Sequence, residues 1–100
     1  MSMFLVILSQ TGPEWLPGQP MEEQSGWDAH AAFMDGLVDE GFIILGGPLP
    51  ERDRRTAHAI EAESEDAIWA RFATDPWSET HLVIESIERW TIRLDGRPGG

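Results

Sequence analysis

One hundred residues hold one domain and one core, because a chain of this size buries only about 60 to 70% of the surface its unfolded form exposes. The 41% hydrophobic content, with five Trp and four Phe, suffices for folding, and the 25% charged content excludes a disordered chain, while 18 acidic against 7 basic side chains (all Arg) give a formal net charge of −11 that repels phosphate backbones and anionic bilayers. Nucleic acid and membrane surfaces are thereby set aside as partners, and the lack of cysteine excludes disulfides, thiolate nucleophiles, zinc ribbons and iron–sulfur clusters.

The first element expected is a strand over residues 3–9, a short apolar, β-branched run closed by Gln10-Thr11-Gly12-Pro13. Its apolar part is too short for a signal-peptide core and follows no basic residue. No stretch approaches the roughly 20 apolar residues of a membrane helix, so a cytoplasmic location is expected. Residues 11–26 carry Pro13, Pro17, Pro20, Gly12 and Gly18 with isolated Trp15 and Met21. They sustain neither periodicity and predict a long loop, of the kind that often serves as a functional lid.

From Trp27, apolar positions at Ala31, Met34, Leu37, Val38 and Gly41 recur at helical spacing, with Asp28, Asp35, Asp39 and Glu40 on the opposite side. Ser25 is the expected N-cap and Gly41 the stop. A second strand is expected over residues 42–45, broken by Gly46-Gly47-Pro48-Leu49-Pro50. A charged loop follows, then a third strand over residues 56–63. Ser64 caps a second helix with Glu65 and Asp66 in its first turn and Ile68, Trp69 and Phe72 on its inner face, and Asp75-Pro76 ends it. A fourth strand is expected over residues 82–93, and residues 96–100 form a disordered tail after a domain of residues 1–95.

The resulting order, βαββαβ, is the split-βαβ or ferredoxin-like arrangement: an α+β fold whose four antiparallel strands are covered by two helices on one face. Residues 3–8 are apolar on both sides of the strand, and residues 42–45 are apolar throughout. Both sheet faces therefore ask for burial, and the simplest cover for the second is an identical chain across a two-fold axis, a homodimer.

His30 lies three residues after Trp27 and four before Met34, within the apolar stripe of the first helix. It is either a core-edge histidine satisfied by a backbone carbonyl or a general acid/base. Asp75 is either a plain Asp-Pro helix stop or, since the two helices share one sheet face, a carboxylate that reaches His30 and fixes its tautomer. Gly47 and Pro48 belong to a turn that could edge a pocket, although no nucleotide-binding glycine pattern is present. Trp15 and Trp77 could wall a pocket for an apolar or aromatic ligand, or simply close the core. Arg52, Arg54 and Arg55, interleaved with Glu51 and Asp53, read as a solvated loop more readily than as an anion site.

His58 and His81 have no partner at metal-ligand spacing and are assigned structural roles; no metal or other cofactor is expected. Ser9, Ser78 and Thr80 lack the setting of a hydrolase nucleophile. The terminal Gly99-Gly100 does not make a ubiquitin-like modifier, because the element order is wrong and Pro98 stiffens the tail.

The helix with His30, the run Asp39-Glu40-Gly41-Phe42-Ile43-Ile44-Leu45-Gly46-Gly47-Pro48-Leu49, the turn Asp75-Pro76-Trp77 and a strand ending near Trp90 together resemble the YciI-like (YCII-related) proteins over most of the chain. The resemblance implies a dimeric α+β barrel of ferredoxin-like chains with an active site on a histidine and an aspartate, carried here by His30 and Asp75. A few members of the family are lyase-like dehydrochlorinases acting on chlorinated hydroxyquinols and many have no known reaction, so the resemblance does not carry a substrate over to this chain. The 11–26 loop and the double glycine depart from the family pattern. The function expected is cofactor-independent acid/base chemistry by His30 and Asp75 on a small, aromatic or other organic substrate; the alternative is a non-catalytic dimer that holds a small molecule in the same cavity.

Overall fold

A computed structural model of the chain describes residues 1–98. The elements run β1 (Ser2–Ser9), α1 (Trp27–Asp39), β2 (Ile43–Pro48), β3 (Arg55–Ala62), α2 (Glu65–Phe72) and β4 (Val83–Arg89), with a single 3-10 turn at Met21–Glu23 inside the long loop. The strands pair antiparallel in the order β2-β3-β1-β4, which is the ferredoxin-like sheet of an α+β fold.

Alternation along the two central strands builds the core. Phe4, Val6 and Leu8 of β1 stand opposite Ile60, His58 and Thr56 of β3, and all six are buried on the helix-covered face. Leu37 from α1 and Ile68 and Phe72 from α2 close over them. The other sheet face carries Met3, Leu5 and Ile7 of β1 opposite Glu61, Ala59 and Ala57 of β3.

Strand β2 differs from the expected short run broken at the double glycine. It continues through Gly46, Gly47 and Pro48, which pair with His58, Ala57 and Thr56. A bulge at Ile44 makes this possible: Ile43 pairs with Ile60 and Leu45 with Ala59, so the strand shifts its alternation by one residue. Leu45 is thereby turned to the open sheet face, where it is 64% exposed, and Gly46 is brought opposite His58. Proline ends an edge strand without loss because its missing N–H is not needed by a neighbour.

Gly26, not Ser25, occupies the N-cap of α1, with φ +74°, a backbone state that suits glycine. Ser64 caps α2 as expected, its Oγ accepting from the Ala67 N–H at 3.1 Å. Strand β4 stops at Arg89, short of the expected residue 93, because β1 offers little partner beyond it: Phe4 pairs with Arg89, and one further bond runs from the Trp90 N–H to the Met3 carbonyl. Residues 90–98 have no regular structure, and Gly99 and Gly100 of the expected tail lie outside the described residues. Among the described residues, no helix is long and apolar enough to cross a membrane.

The long loop is pinned at both ends. Gly12 and Glu14 donate backbone hydrogen bonds to His81 and Thr80, ahead of β4. Gln24 is buried and staples the loop to itself: its Oε1 accepts from the Leu16 N–H at 2.9 Å, and its Nε2 donates to the Leu16 and Gln19 carbonyls at 2.9 and 3.1 Å.

Candidate functional site

His30 and Leu37, seven residues apart, are the buried residues of α1 and mark the stripe that faces the sheet. Asp75 follows the end of α2, where its backbone N–H reaches the Phe72 carbonyl and its Oδ1 accepts from the Trp77 N–H at 2.9 Å. The Asp-Pro-Trp turn therefore does aim the carboxylate. His30 Nδ1 donates to Asp75 Oδ1 at 2.9 Å and Oδ2 at 3.0 Å, with both side chains buried. An ionised carboxylate only accepts, so the proton sits on Nδ1 and Nε2 presents a lone pair. The backbone carbonyl partner weighed for His30 from the sequence is replaced by this pair.

The plane of the imidazole is held by Trp77. The two rings stack at 4.1 Å between centroids and 6° between planes, and Trp77 also stacks on His81 at 4.7 Å and 15°. Trp77 Nε1 donates to the Ser25 carbonyl at 2.8 Å, and Trp15 meets the indole edge-on at 5.7 Å. His81 is hydrogen-bonded through Nε2 to Ser25 Oγ and through Nδ1 to Thr80 Oγ1. Trp77 is 1% exposed and Trp15 8%. Of the two roles the sequence left open for them, walling a pocket or closing the core, their burial fits the second: they pack behind His30, where the Asp75 turn and the loop fold their rings into the core.

In front of His30 is a cavity of about 380 Å³ between α1, β2 and β3, lined by His30, Met34, Gly47, Pro48, Thr56 and His58 among others. Gly47 and Pro48 thus edge the same space as His30, from a strand rather than from the expected turn. A second cavity of about 400 Å³ touches Asp75, Phe72 and Ile84, but no imidazole. Arg52 and Arg55 meet Glu85, Arg54 meets Asp53, and none of the three lines the first cavity. Among the described residues no group of three or more His, Asp or Glu is placed to hold a metal ion.

His58 is the residue that sequence reasoning missed. It is buried and lines the cavity. Burial, opposed by the nearby Val6 carbonyl and reinforced by the charge a protonated His30 would carry, pushes its pKa down from 6.5 to about 4. Its Nδ1 and the Oγ1 of Thr56, on the same strand face, are buried with no hydrogen-bond partner among the described residues. A polar pair at i and i+2 on an otherwise apolar strand face was a usable signal, but its meaning depends on the bulge that puts Gly46 beside it.

The fold and site define a ferredoxin-like α+β domain with a buried histidine–carboxylate pair at the edge of a cavity between helix and sheet. The model of the YCII-related domain matches residues 3–91, and the chain belongs to that family. No curated protein and no solved structure gives a significant match.

Proposed function

We propose that the cavity between α1, β2 and β3 is the reaction site of a cofactor-independent enzyme that moves a proton on a small, largely apolar organic substrate. His30 Nε2 acts as general base and acid, and Asp75 holds the ring. The observation that carries this reading is the buried bidentate contact of His30 Nδ1 with Asp75, made by a ring that lines the cavity. A free imidazole would sample both tautomers and many orientations; this one is fixed by the carboxylate on one edge and by Trp77 on one face.

In the first half of such a reaction Nε2 takes a proton from an acidified carbon or hydroxyl of the substrate, and the imidazolium that forms is stabilised by the Asp75 carboxylate. In the second half the proton returns at another position or to a leaving group, as a lyase requires. Gly47 and Pro48 contact the substrate at the rim, while Trp15 and Trp77 act through His30.

The test is solvent-deuterium incorporation, followed by NMR, across a panel of small neutral carbonyl, phenolic and halogenated compounds. Exchange by the native protein that is lost in His30→Gln supports the enzyme. Compounds that bind the cavity while none exchanges establish instead a non-catalytic binding protein.

We also propose a two-fold homodimer joined through the sheet face that the helices leave open. Leu45, Trp90 and Ile92 are 64%, 43% and 36% exposed there, an apolar patch that a second copy would cover.

A further inference from the structure

We infer that the loop of residues 11–26 sets the size limit of this cavity, with Met21 as the side chain that determines specificity and Gln24 as the residue that positions it. The inference rests on the reading of the cavity as the reaction site.

A connection from β1 to α1 needs only a few residues, and a longer one has to be accounted for by what it does. Of the Trp, Leu and Met side chains in this loop, Trp15 is buried behind His30, Leu16 is 56% exposed, and only Met21 lines the cavity. Met21 opens the 3-10 turn Met21–Glu23, is half-buried and packs against the edge of the core. The other apolar side chains around the space include Trp27 and Met34 of α1 and Ile43 of β2. The loop therefore supplies one wall of a space whose remaining walls belong to the helix and the sheet.

That wall is held firmly. Gly12 and Glu14 tie its start to His81 and Thr80, and a Cβ at Gly12 would collide with the Thr80 carbonyl. At its other end the Ser25 carbonyl accepts from Trp77 Nε1 at 2.8 Å, so the loop is fastened to the ring that stacks on His30. Between the two ends the buried Gln24 side chain bonds backbone groups of Leu16 and Gln19, and its own N–H donates to the Met21 carbonyl at 3.1 Å. The Trp27 N–H donates in turn to the Gln24 carbonyl at 3.3 Å, which carries the connection into α1. A loose backbone would yield to a large ligand. Here the backbone under Met21 is anchored and only the thioether chain adapts, so the volume of that side chain sets the limit.

Chemistry selects the ligands on which the limit acts. His30 Nε2 presents a lone pair, in a ring that lines the cavity, to which a hydroxyl can donate. Among the described residues no Lys or Arg lines the space, so an anion would lose its hydration there without meeting a cation. An uncharged chain with its hydroxyl at His30 extends its apolar length toward the other walls. Each methylene that it buries strengthens binding about fourfold, until the chain meets a wall that does not give.

The experiment titrates the full chain, with ¹⁵N-labelled histidines, with n-butanol, n-hexanol and n-octanol, and takes dissociation constants from the His30 ring signals. Native affinity is expected to rise with chain length and then level off. In Met21→Ala the levelling moves to longer chains, and n-octanol gains at least about tenfold relative to n-butanol. Met21→Phe, which adds volume to the same wall, moves the preference the other way. Gln24→Ala shifts the preference in the direction of Met21→Ala and adds little in the double variant, because Gln24 acts through Met21. A Met21 that merely covers the core would alter stability in these variants and leave the ratio of the constants alone. Native preferences in both Met21→Ala and Met21→Phe therefore overturn the inference, and a continued shift of His30 by n-butanol then leaves the cavity reading standing. A Gln24→Ala effect of undiminished size in the Met21→Ala background overturns the positioning role of Gln24. If no alkanol shifts His30 at any length, the inference and the cavity reading fall together.

Discussion

Burial decides the charge of His58, and with it one branch of the pH dependence of folding. Its folded pKa of about 4 lies below the unfolded 6.5, so between these values the unfolded chain binds the extra proton. The stability associated with the neutral ring is therefore fully present above pH 6.5 and is lost as the pH falls toward 4, by on the order of 3 kcal/mol. Urea denaturation across this range should show a steeper loss for the native chain than for His58→Phe; parallel curves would contradict the assignment. The neighbouring pair gives a second expectation. In Asp75→Asn the amide oxygen can keep the Trp77 N–H bond, but the side chain no longer supplies a carboxylate to His30 Nδ1. Fold and thermal midpoint should change little while any His30-dependent exchange falls by about 10⁴, the size of a wrong-tautomer effect in such pairs. Retained exchange would show that Asp75 orients nothing the reaction needs.

At the scale of elements, helix α2 has only eight residues and leans on its cap. Ser64→Ala removes the acceptor for the Ala67 N–H and should cost about 1 kcal/mol, read as a shift in the denaturant midpoint at unchanged slope. The loop before α1 depends on Gln24 in a comparable way, since one side chain satisfies three backbone groups. Gln24→Ala should speed amide exchange at Leu16 while leaving the strands protected, a local opening rather than a global one. Loss of protection throughout β1 and β3 would instead make the loop part of the cooperative core.

At the scale of the whole molecule, the open sheet face sets the expected association. Sedimentation equilibrium at micromolar concentration should give twice the 11.2 kDa chain mass, and Leu45→Glu, which places a carboxylate on that face, should shift the protein to monomer without unfolding it. A native protein that sediments as a stable monomer rules out the two-fold unit. The pattern of local signals carried the architecture a long way. Strand β1, the stripe of α1, the Ser64 cap and the Asp75 stop are all periodicity or capping features within a few residues of one another, and they determine the βαββαβ order because each acts through its own backbone.

His30 and Asp75 were legible as candidates for the same reason: one sits in a helical stripe and the other at a helix end, and the topology puts both ends on one sheet face. What only the tertiary structure decided depends on contacts between distant segments. The bulge at Ile44 extends β2 through a double glycine that reads as a turn, turns Leu45 outward and seats Gly46 against the His58 ring. Trp15 and Trp77 pack behind His30, because a side chain's neighbours are set by the register and closure of the whole sheet. His58, unremarkable in a strand pattern, acquires its lowered pKa and its unpaired nitrogen only when helix, sheet and turn enclose it, since desolvation belongs to no segment of the chain taken alone.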